Sequence, residues 1–380
     1  MAVNHAPGPQ LGVLQCPLQQ SGTVRLIASP GQPLLENAKR RLRVYPDLPY
    51  TAITPFQREL NAMRNRDKWP CSERPGDMQH GKVPRVSIGL PVFNGGSMLI
   101  EAIDSILSQT FRDFELVIFD NASTDSTEDV CRAYANRDPR IRYFRGEVNR
   151  GAQYSHNQVV ELSCGDYFHF AGHDDLLAPR FLERCVDVLD TRPELVLCFC
   201  NFDVIDESGS LVGPGPPTPR LLEERPAHRI KSFWSAPRVS QVIYGLIRRS
   251  ALEKTELHLD WYGSDRALLL DLVLIGGFER IDETLFFHRE HIDRSGYQGE
   301  NIHRIWSPQS QTRSAGYWRR LKHVLRMLQR EHLSRTERIA VSLECLRYAS
   351  SRIGYWGSHL WSDFVVAVKE AALPDQKKPE

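Results

Sequence analysis

The sequence lacks the features that mark several large classes of protein. Its 380 residues contain no apolar run that approaches the roughly 18 residues of a membrane-spanning helix. The N-terminus has no basic patch followed by an apolar core, so we expect no secretory signal. The 48 basic and 47 acidic residues leave a formal net charge of +1, which gives no overall attraction to nucleic acid. These absences predict a soluble cytoplasmic protein that binds no nucleic acid and is at most held peripherally on the inner face of the membrane.

The eight cysteines show no CxxC pair and no spacing typical of a zinc site. Cys198 and Cys200 alternate within an apolar run, so both side chains should lie on one side of a strand. We therefore expect buried free thiols, which fits a reducing compartment.

Three regions differ in composition. Residues 1–83 are rich in Pro, Gln, Arg and Asn and have no sustained apolar period, so this extension is predicted to be mostly disordered or loosely packed. Residues 84–300 alternate short apolar runs with helical patterns and are predicted to form the main folded domain. Residues 301–380 are predicted to be helical, with helices over Tyr317–Leu333 and Arg335–Ala349.

The central region predicts an α/β fold with a mostly parallel sheet flanked by helices, because strand and helix patterns alternate along it. A hairpin over Asp203–Val212 and a last short strand over Thr284–Phe287 complete the pattern. The first four predicted strands are Val86–Leu90, Phe114–Phe119, Ile141–Phe144 and Tyr167–Phe170.

Polar side chains follow several of these strands, where ligands bind in open parallel sheets. Asp120 ends the second strand and could accept hydrogen bonds from a base or ribose, or could form the turn that follows. The fourth strand leads into His173-Asp174-Asp175, whose adjacent carboxylates repel each other unless a cation or a donor compensates. A divalent ion such as Mg²⁺ or Mn²⁺ would do so; the alternative is one helix cap and one solvated carboxylate.

Two downstream segments carry further candidates. Trp261-Tyr262-Gly263-Ser264-Asp265 places aromatic rings and a carboxylate at the start of a helix. Asp265 can accept a proton from a hydroxyl, or Asp265 or Ser264 can cap the helix. In the run His288-Arg289-Glu290-His291, His291 is a candidate metal or phosphate contact and Arg289 could pair with phosphate.

Four motifs in order resemble the family 2 glycosyltransferases, which have the GT-A fold. They are VSIGLPVFNGG, VIFDNASTDST, NRGAQYSHNQ and FHFAGHDDLLAP, and the similarity runs from about Arg85 to Ser295. The resemblance implies a Rossmann-like nucleotide-binding half, an inverting reaction, a UDP-, GDP- or dTDP-sugar donor and Mg²⁺ or Mn²⁺.

The resemblance also implies roles for individual residues. Asp265 matches the catalytic base, and Asp175 and His291 match the metal site. The nucleotide-sugar contacts are assigned to Pro91, Val92, Asn94, Asp120, Asn157 and Asp174. Three positions depart from the usual family pattern: His156 replaces an arginine, His173 replaces the first aspartate of the DXD element, and Ser264 replaces an acidic neighbour of the base.

These features predict a metal-dependent glycosyltransferase that acts on a glycan or lipid-linked acceptor in polysaccharide, glycolipid or cell-envelope glycan synthesis. The alternatives are a sugar nucleotidyltransferase and a non-catalytic nucleotide-sugar-binding member of the same fold. No QxxRW motif follows Asp265, so processive synthesis is not expected, and Gly95-Gly96 lacks the GxGxxG spacing of a dinucleotide-binding oxidoreductase.

The predicted C-terminal helices carry basic residues beside apolar ones, for example Arg326 and Arg330 beside Leu325 and Leu328. Such a surface could rest on anionic lipid or pack against the catalytic domain or a second subunit.

Overall fold

The computed structural model describes residues 83–236, 239–291, 305–306, 316–329 and 333–351, with two short strands nearer the N-terminus. Residues 1–75 form one compact unit, in which the structure describes only the antiparallel pair Val13–Leu14 and Leu26–Ile27. The rest of the predicted loosely packed extension, up to residue 82, lies outside the described residues. The second unit is Gly76–Glu380.

The first half of this unit has the predicted alternation of strands and helices. Strands β1, β2 and β4 are buried along their whole length, which is why they read as continuous apolar runs. The elements are β1 (Val86–Val92), α1 (Met98–Leu107), β2 (Phe114–Asp120), α2 (Thr127–Arg137), β3 (Ile141–Arg145), α3 (Ala152–Leu162) and β4 (Tyr167–Phe170).

The second half adds strands of both directions. The predicted hairpin is confirmed as the antiparallel pair β6 and β7, and the last strand, β9, is much longer than predicted. The elements are β5 (Leu176–Leu177), α4 (Phe181–Thr191), β6 (Leu195–Ile205), β7 (Leu211–Pro214), α5 (Pro226–Ser235), a 3₁₀ helix (Val239–Tyr244), β8 (Leu246–Arg248), α6 (Arg249–Leu252), α7 (Asp265–Ile275), β9 (Gly277–Arg289), α8 (Gly316–Met327) and α9 (Arg335–Ser351).

The nine strands form one mostly parallel sheet in the order β3-β2-β1-β4-β8-β6-β9-β5, with β7 added on β6. β1 pairs in parallel with β2 and β4, and β6 pairs in parallel with β9. Strand β8 is antiparallel to both β4 and β6, so β6 and β9 run in the same direction as β1 to β4. The carboxyl ends of these strands therefore meet at one edge of the sheet.

Helices cover both faces of this sheet. Helices α1, α2 and α4 contribute to one core cluster, and α3, α5 and α7 contribute to the other. The prediction of buried thiols holds for Cys131, Cys185, Cys198 and Cys200, whereas Cys164 and Cys345 are partly exposed. The six cysteines that the structure describes form no disulfide with one another, and Cys198 and Cys200 belong to the same cluster.

The C-terminal helices pack against the α/β domain, which was one of the possibilities considered for them. Met327 of α8 and Val341 of α9 are fully buried in the same cluster as helix α7. Trp234 of α5 stacks on Tyr348 of α9 with ring centroids 4.6 Å apart. Within the described part of the chain, no helix is long and apolar enough to cross a membrane.

Helix α8 is also held by a buried ion pair. His323 is 2% exposed, and its Nε2 lies 3.2 Å from Asp271 Oδ1 of α7, while Glu256 Oε2 lies 3.8 Å from its Nδ1. Burial alone would lower the pKa of His323, but the adjacent Asp271 and Glu256 carboxylates outweigh it and raise the pKa to about 9. The imidazolium is therefore the form that stabilises the packing of α8 on α7.

Because of this pair, we expect the free energy of unfolding to fall at alkaline pH. A rise in the pKa of His323 from 6.5 to about 9 corresponds to about 3 kcal/mol. The contribution is complete below pH 6.5 and is lost as the pH rises through 9. We expect His323→Gln to lower the urea midpoint at pH 7 and to change it little at pH 10. The control is His228→Gln, because His228 is exposed on α5. Equal losses for His323→Gln at both pH values would contradict this prediction.

Candidate active site

The loops that follow β1 and β2 are tied together at the carboxyl edge. The Asn94 backbone N–H donates to Ser123 Oγ at 2.9 Å, and the Thr124 N–H donates to Asn94 Oδ1 at 2.8 Å. Asn94 has φ 52°, a left-handed conformation that asparagine tolerates better than most residues. Pro91 and Val92 are buried at the end of β1, whereas Asn94 is exposed. At this edge of the sheet, Asn94 is therefore accessible to a ligand and the other two residues lie beneath the surface.

Asp120, at the end of β2, is fully buried and engaged on both oxygens. Its Oδ1 accepts the Ser123 N–H at 2.8 Å, and its Oδ2 accepts the Tyr143 hydroxyl at 2.8 Å and pairs with the Arg145 guanidinium. Burial and the hydrogen bond to Asp120 raise the pKa of Tyr143, so the hydroxyl stays a donor. Asp120 therefore forms the turn, and contact with a nucleotide would require exchange with Arg145, which is 30% exposed.

Asn157, which the resemblance assigns to the nucleotide sugar, hydrogen-bonds the protein backbone with both ends of its amide. Its Oδ1 accepts the His258 N–H at 3.0 Å, and its Nδ2 donates to the His258 carbonyl at 2.9 Å. Both ends of the Asn157 amide thus hold the segment that leads to helix α7.

The turn after β4 brings together side chains that are far apart in sequence. His291 Nε2 lies 2.9 Å from Asp174 Oδ2, and His288 Nδ1 lies 3.1 Å from Asp175 Oδ1. Asp175 Oδ1 also accepts the Arg289 N–H at 2.9 Å. Asp174 and Asp175 are 8% and 5% exposed, so two carboxylates and two imidazoles share a nearly buried site.

Arg289 lies next to this turn but does not reach a ligand surface. It is fully buried, and its Nε donates to the Asp174 carbonyl at 2.8 Å. Its Nη1 donates to the Glu207 carbonyl at 2.9 Å, and its Nη2 pairs with Glu101 at 2.6 Å. The expectation that Arg289 pairs with phosphate is not met, because these contacts hold the guanidinium inside the protein.

Asp265 is the first residue of α7 and is partly buried. Burial raises its pKa, although hydrogen bonds from the Arg266 backbone and from Ser240 oppose this rise. The preceding Ser264 makes no side-chain cap. A carboxylate with a raised pKa is a stronger proton acceptor, which suits a general base.

The residues 87–254 match the family described as Glycosyl transferase family 2. The chain carries a family 2 glycosyltransferase domain. An uncharacterized glycosyltransferase of Rickettsia typhi is 32% identical over 143 residues, which are 37% of this chain and 44% of that protein. Chondroitin synthase of Escherichia coli is 31% identical over 144 residues, 38% of this chain and 21% of the synthase. The match thus covers less than half the length of either relative.

The fold is the GT-A fold, as the resemblance implied. Staphylococcus aureus TarS 1–349, crystallised with UDP-GlcNAc, superimposes with a TM-score of 0.52 at 15% identity. The match covers 70% of this chain and 73% of the TarS chain. At this identity the likeness describes the architecture of the transferase domain and not its substrates.

Three further residues of the transferase domain lie at the site but were not among the candidates. Phe93 follows β1 and is 42% exposed, Arg145 covers Asp120, and His288 contacts Asp175. Phe93 could have been noticed as an aromatic residue directly after a buried strand. The contacts of Arg145 and His288 depend on neighbouring strands and have no local signal.

The side chains of the Asp174–Asp175 turn fit a hard divalent cation that is shared with a phosphate ligand. Asp175 Oδ2 is buried and has no hydrogen-bond partner in the described part of the chain. No group of three or more His, Cys, Asp or Glu side chains in that part converges on one metal position. Magnesium commonly takes only one or two carboxylates from a protein and completes its shell with phosphate and water. The Asp174–Asp175 turn supplies ligands of that kind.

Gly172 leaves the space in which these carboxylates lie. A Cβ at this position would stand 2.6 Å from Asp175 Oδ2 and 2.9 Å from Asp174 Oδ1. We expect Gly172→Ala to cost about 1–3 kcal/mol of unfolding free energy, the usual range for overpacking, and to weaken metal-dependent nucleotide binding. Gly146→Ala is the control, because its nearest neighbouring atom would be 3.5 Å away. Wild-type stability and nucleotide affinity in Gly172→Ala would refute this prediction.

Proposed function

We propose that this protein is a glycosyltransferase that moves a sugar from a nucleoside diphosphate to an acceptor hydroxyl with inversion at the anomeric carbon. The observation that supports it best is the buried Asp175 Oδ2, which has no hydrogen-bond partner among the residues that the structure describes and lies beside Asp174 at the carboxyl edge of a GT-A sheet. Such a pair is costly unless a ligand compensates the charge.

The proposed donor site lies over the loops after β1 and β2 and the turn after β4. Asn94 and the exposed ring of Phe93 face the nucleotide, with Pro91 and Val92 beneath them. Asp120, with Arg145 across it, lies where a base or ribose can exchange hydrogen bonds with the protein. Asp174 contacts the ribose in this proposal, and Asn157 acts through the His258 backbone.

Asp175, with Asp174 and His291 beside it, would hold the Mg²⁺ or Mn²⁺. When bound, this ion supplies positive charge that stabilises the departing diphosphate.

The proposed reaction needs one proton acceptor. Asp265 takes the proton of the acceptor hydroxyl, and the oxygen forms a bond to the anomeric carbon. The bond from that carbon to the diphosphate oxygen breaks on the opposite face, and the electron pair leaves with the nucleoside diphosphate. The raised pKa of Asp265 implies that the acid limb of the rate profile lies above the ordinary aspartate pKa of 3.8.

In this proposal the acceptor is a glycan or a lipid-linked sugar, and the protein binds it at a membrane surface. Helix α9 has three exposed apolar residues at spacings of four and three positions, Ile339, Leu343 and Leu346. Arg335 and Arg347 are exposed on the same helix. This arrangement fits an anionic lipid surface. Co-sedimentation with anionic and neutral liposomes tests it, and binding to neither would remove membrane contact from the proposal.

A donor panel tests the reaction itself. UDP-GlcNAc comes first, because TarS, which has the same fold, was crystallised with it, and GDP- and dTDP-sugars follow. We expect release of nucleoside diphosphate from one donor class, stimulated by Mn²⁺. Binding without release in the presence of glycan and lipid acceptors would favour the non-catalytic alternative. Pyrophosphate-dependent formation of a nucleoside triphosphate would favour a nucleotidyltransferase.

A further inference from the structure

The segment 257–264, which leads into helix α7, needs support from other elements. It belongs to neither a helix nor a strand. Leu257 has φ 57° and Gly263 has φ 82°. A left-handed leucine is unfavourable and persists only where its surroundings hold it. The direction of Asp265 therefore depends on what holds this segment.

Helix α3 holds the segment from one side. Besides the two hydrogen bonds of Asn157, Gln153 Nε2 donates to the His258 carbonyl at 2.9 Å. Gln153, His156 and Asn157 lie three and four positions apart, so they share one face of α3. Because α3 also packs against the sheet, this side of the segment is fixed to the core.

Trp306 holds the segment from the other side. Its indole Nε1 donates to the Leu259 carbonyl at 3.0 Å. Its ring centroid lies 5.5 Å from those of His156 and His258 and 6.2 Å from that of Tyr262. Burial lowers the pKa of His156 to about 4 and that of His258 well below its ordinary value, so both rings pack as neutral aromatic groups.

Helix α8 adds a third contact. Arg319 Nη1 lies 3.2 Å from the Asp260 carbonyl and 3.1 Å from Asp260 Oδ2. Residues 258, 259 and 260 are thus held in turn by α3, Trp306 and α8. Trp306 is the member that contacts both the segment and α3, because its ring also meets His156.

We propose that Trp306 is a positioning residue for Asp265, fixing the segment from which helix α7 begins. This inference rests on the proposed function of Asp265 as the base. Within the described residues, no hydrogen bond or ring contact joins Trp306 to Asp265 or to the Asp174–Asp175 turn, so its effect should fall on turnover and not on nucleotide affinity. Misplacement of a catalytic group by about 1 Å can cost roughly 10²-fold in rate.

The test compares Trp306→Phe with Trp234→Phe. Phenylalanine keeps a ring at position 306 but loses the donor to Leu259. Trp234 is the control, because it stacks on Tyr348 and no hydrogen bond or ring contact joins it to residues 257–264 in the described part of the chain. We expect Trp306→Phe to lower kcat about 10-fold or more with an unchanged donor KM. We also expect faster amide hydrogen exchange in residues 257–264, and Trp234→Phe should change neither quantity.

The two readouts separate this proposal from the proposed function. Absence of transfer by the wild-type protein would count against the proposed function. Asp265 would then not be a catalytic base, and the positioning role of Trp306 would fall with it. If the wild-type protein is active, wild-type kcat in Trp306→Phe would overturn the positioning role. Unchanged exchange in residues 257–264 would overturn it equally, even if kcat fell. A loss that lies entirely in the donor KM would assign Trp306 to donor binding instead.

Discussion

Replacing Asp265 by asparagine should lower the transfer rate by roughly 10²–10⁴-fold, the usual contribution of a general base. Asparagine has nearly the same shape and can still accept hydrogen bonds from Ser240 and the Arg266 backbone, so the start of α7 should be preserved. It cannot take the proton of the acceptor hydroxyl. Nucleotide affinity should therefore stay within error of the wild-type value, and the loss should appear in kcat.

Calorimetric titration and steady-state kinetics together measure this. Asp187→Asn is the matched control, since Asp187 is an exposed aspartate on α4. The pH profile adds a second readout, because the acid limb of the wild-type profile should be absent from the residual activity of Asp265→Asn. Near-normal transfer by Asp265→Asn would mean that another group is the base.

Replacing Asp175 by asparagine should remove most of the metal-dependent nucleotide affinity. The asparagine Oδ1 can still accept the Arg289 N–H, so the turn should remain folded. The negative charge that would compensate a divalent ion is lost. Metal ions contribute several kcal/mol to reactions of this type, so we expect turnover to fall by roughly 10²-fold or more.

Affinity for nucleoside diphosphate, measured with and without Mn²⁺, separates this loss from unfolding. We expect the Mn²⁺ stimulation of binding to disappear in Asp175→Asn while the urea midpoint changes little. Glu283→Gln provides the control, because Glu283 lies on β9 in an exposed ion pair with Arg184. Full Mn²⁺ stimulation in Asp175→Asn would show that the ion binds elsewhere.

The fold follows from the sequence where contacts are local or where burial is complete. Val86–Val92 and Phe114–Asp120 are buried at every position, so their apolar runs predict strands directly. Strand β9 was underestimated because Glu279, Asp282 and Glu283 interrupt its apolar pattern. These carboxylates pair at its surface with Arg220 and Arg184, among others.

The sequence predicts which residues of the candidate site follow the strands, but it does not predict which of these side chains contact one another. Asp120 and Asp174 could be located because parallel strands end at one edge. The pairing of Asp174 with His291 spans 117 positions and depends on where β9 lies beside β6. The two hydrogen bonds between Asn157 and His258 likewise span 101 positions. Such distant pairings leave no periodic pattern in the sequence, so the contact between Asn157 and His258 could not be predicted.

Titration of Mn²⁺ followed by electron paramagnetic resonance tests the central claim most directly, because the signal of the free ion falls when the ion is bound. With the wild-type protein, the donor's nucleoside diphosphate should increase Mn²⁺ binding, and Asp175→Asn should abolish that increase. Equal Mn²⁺ binding by both proteins in the presence of the nucleotide would contradict a metal and nucleotide site at Asp174–Asp175.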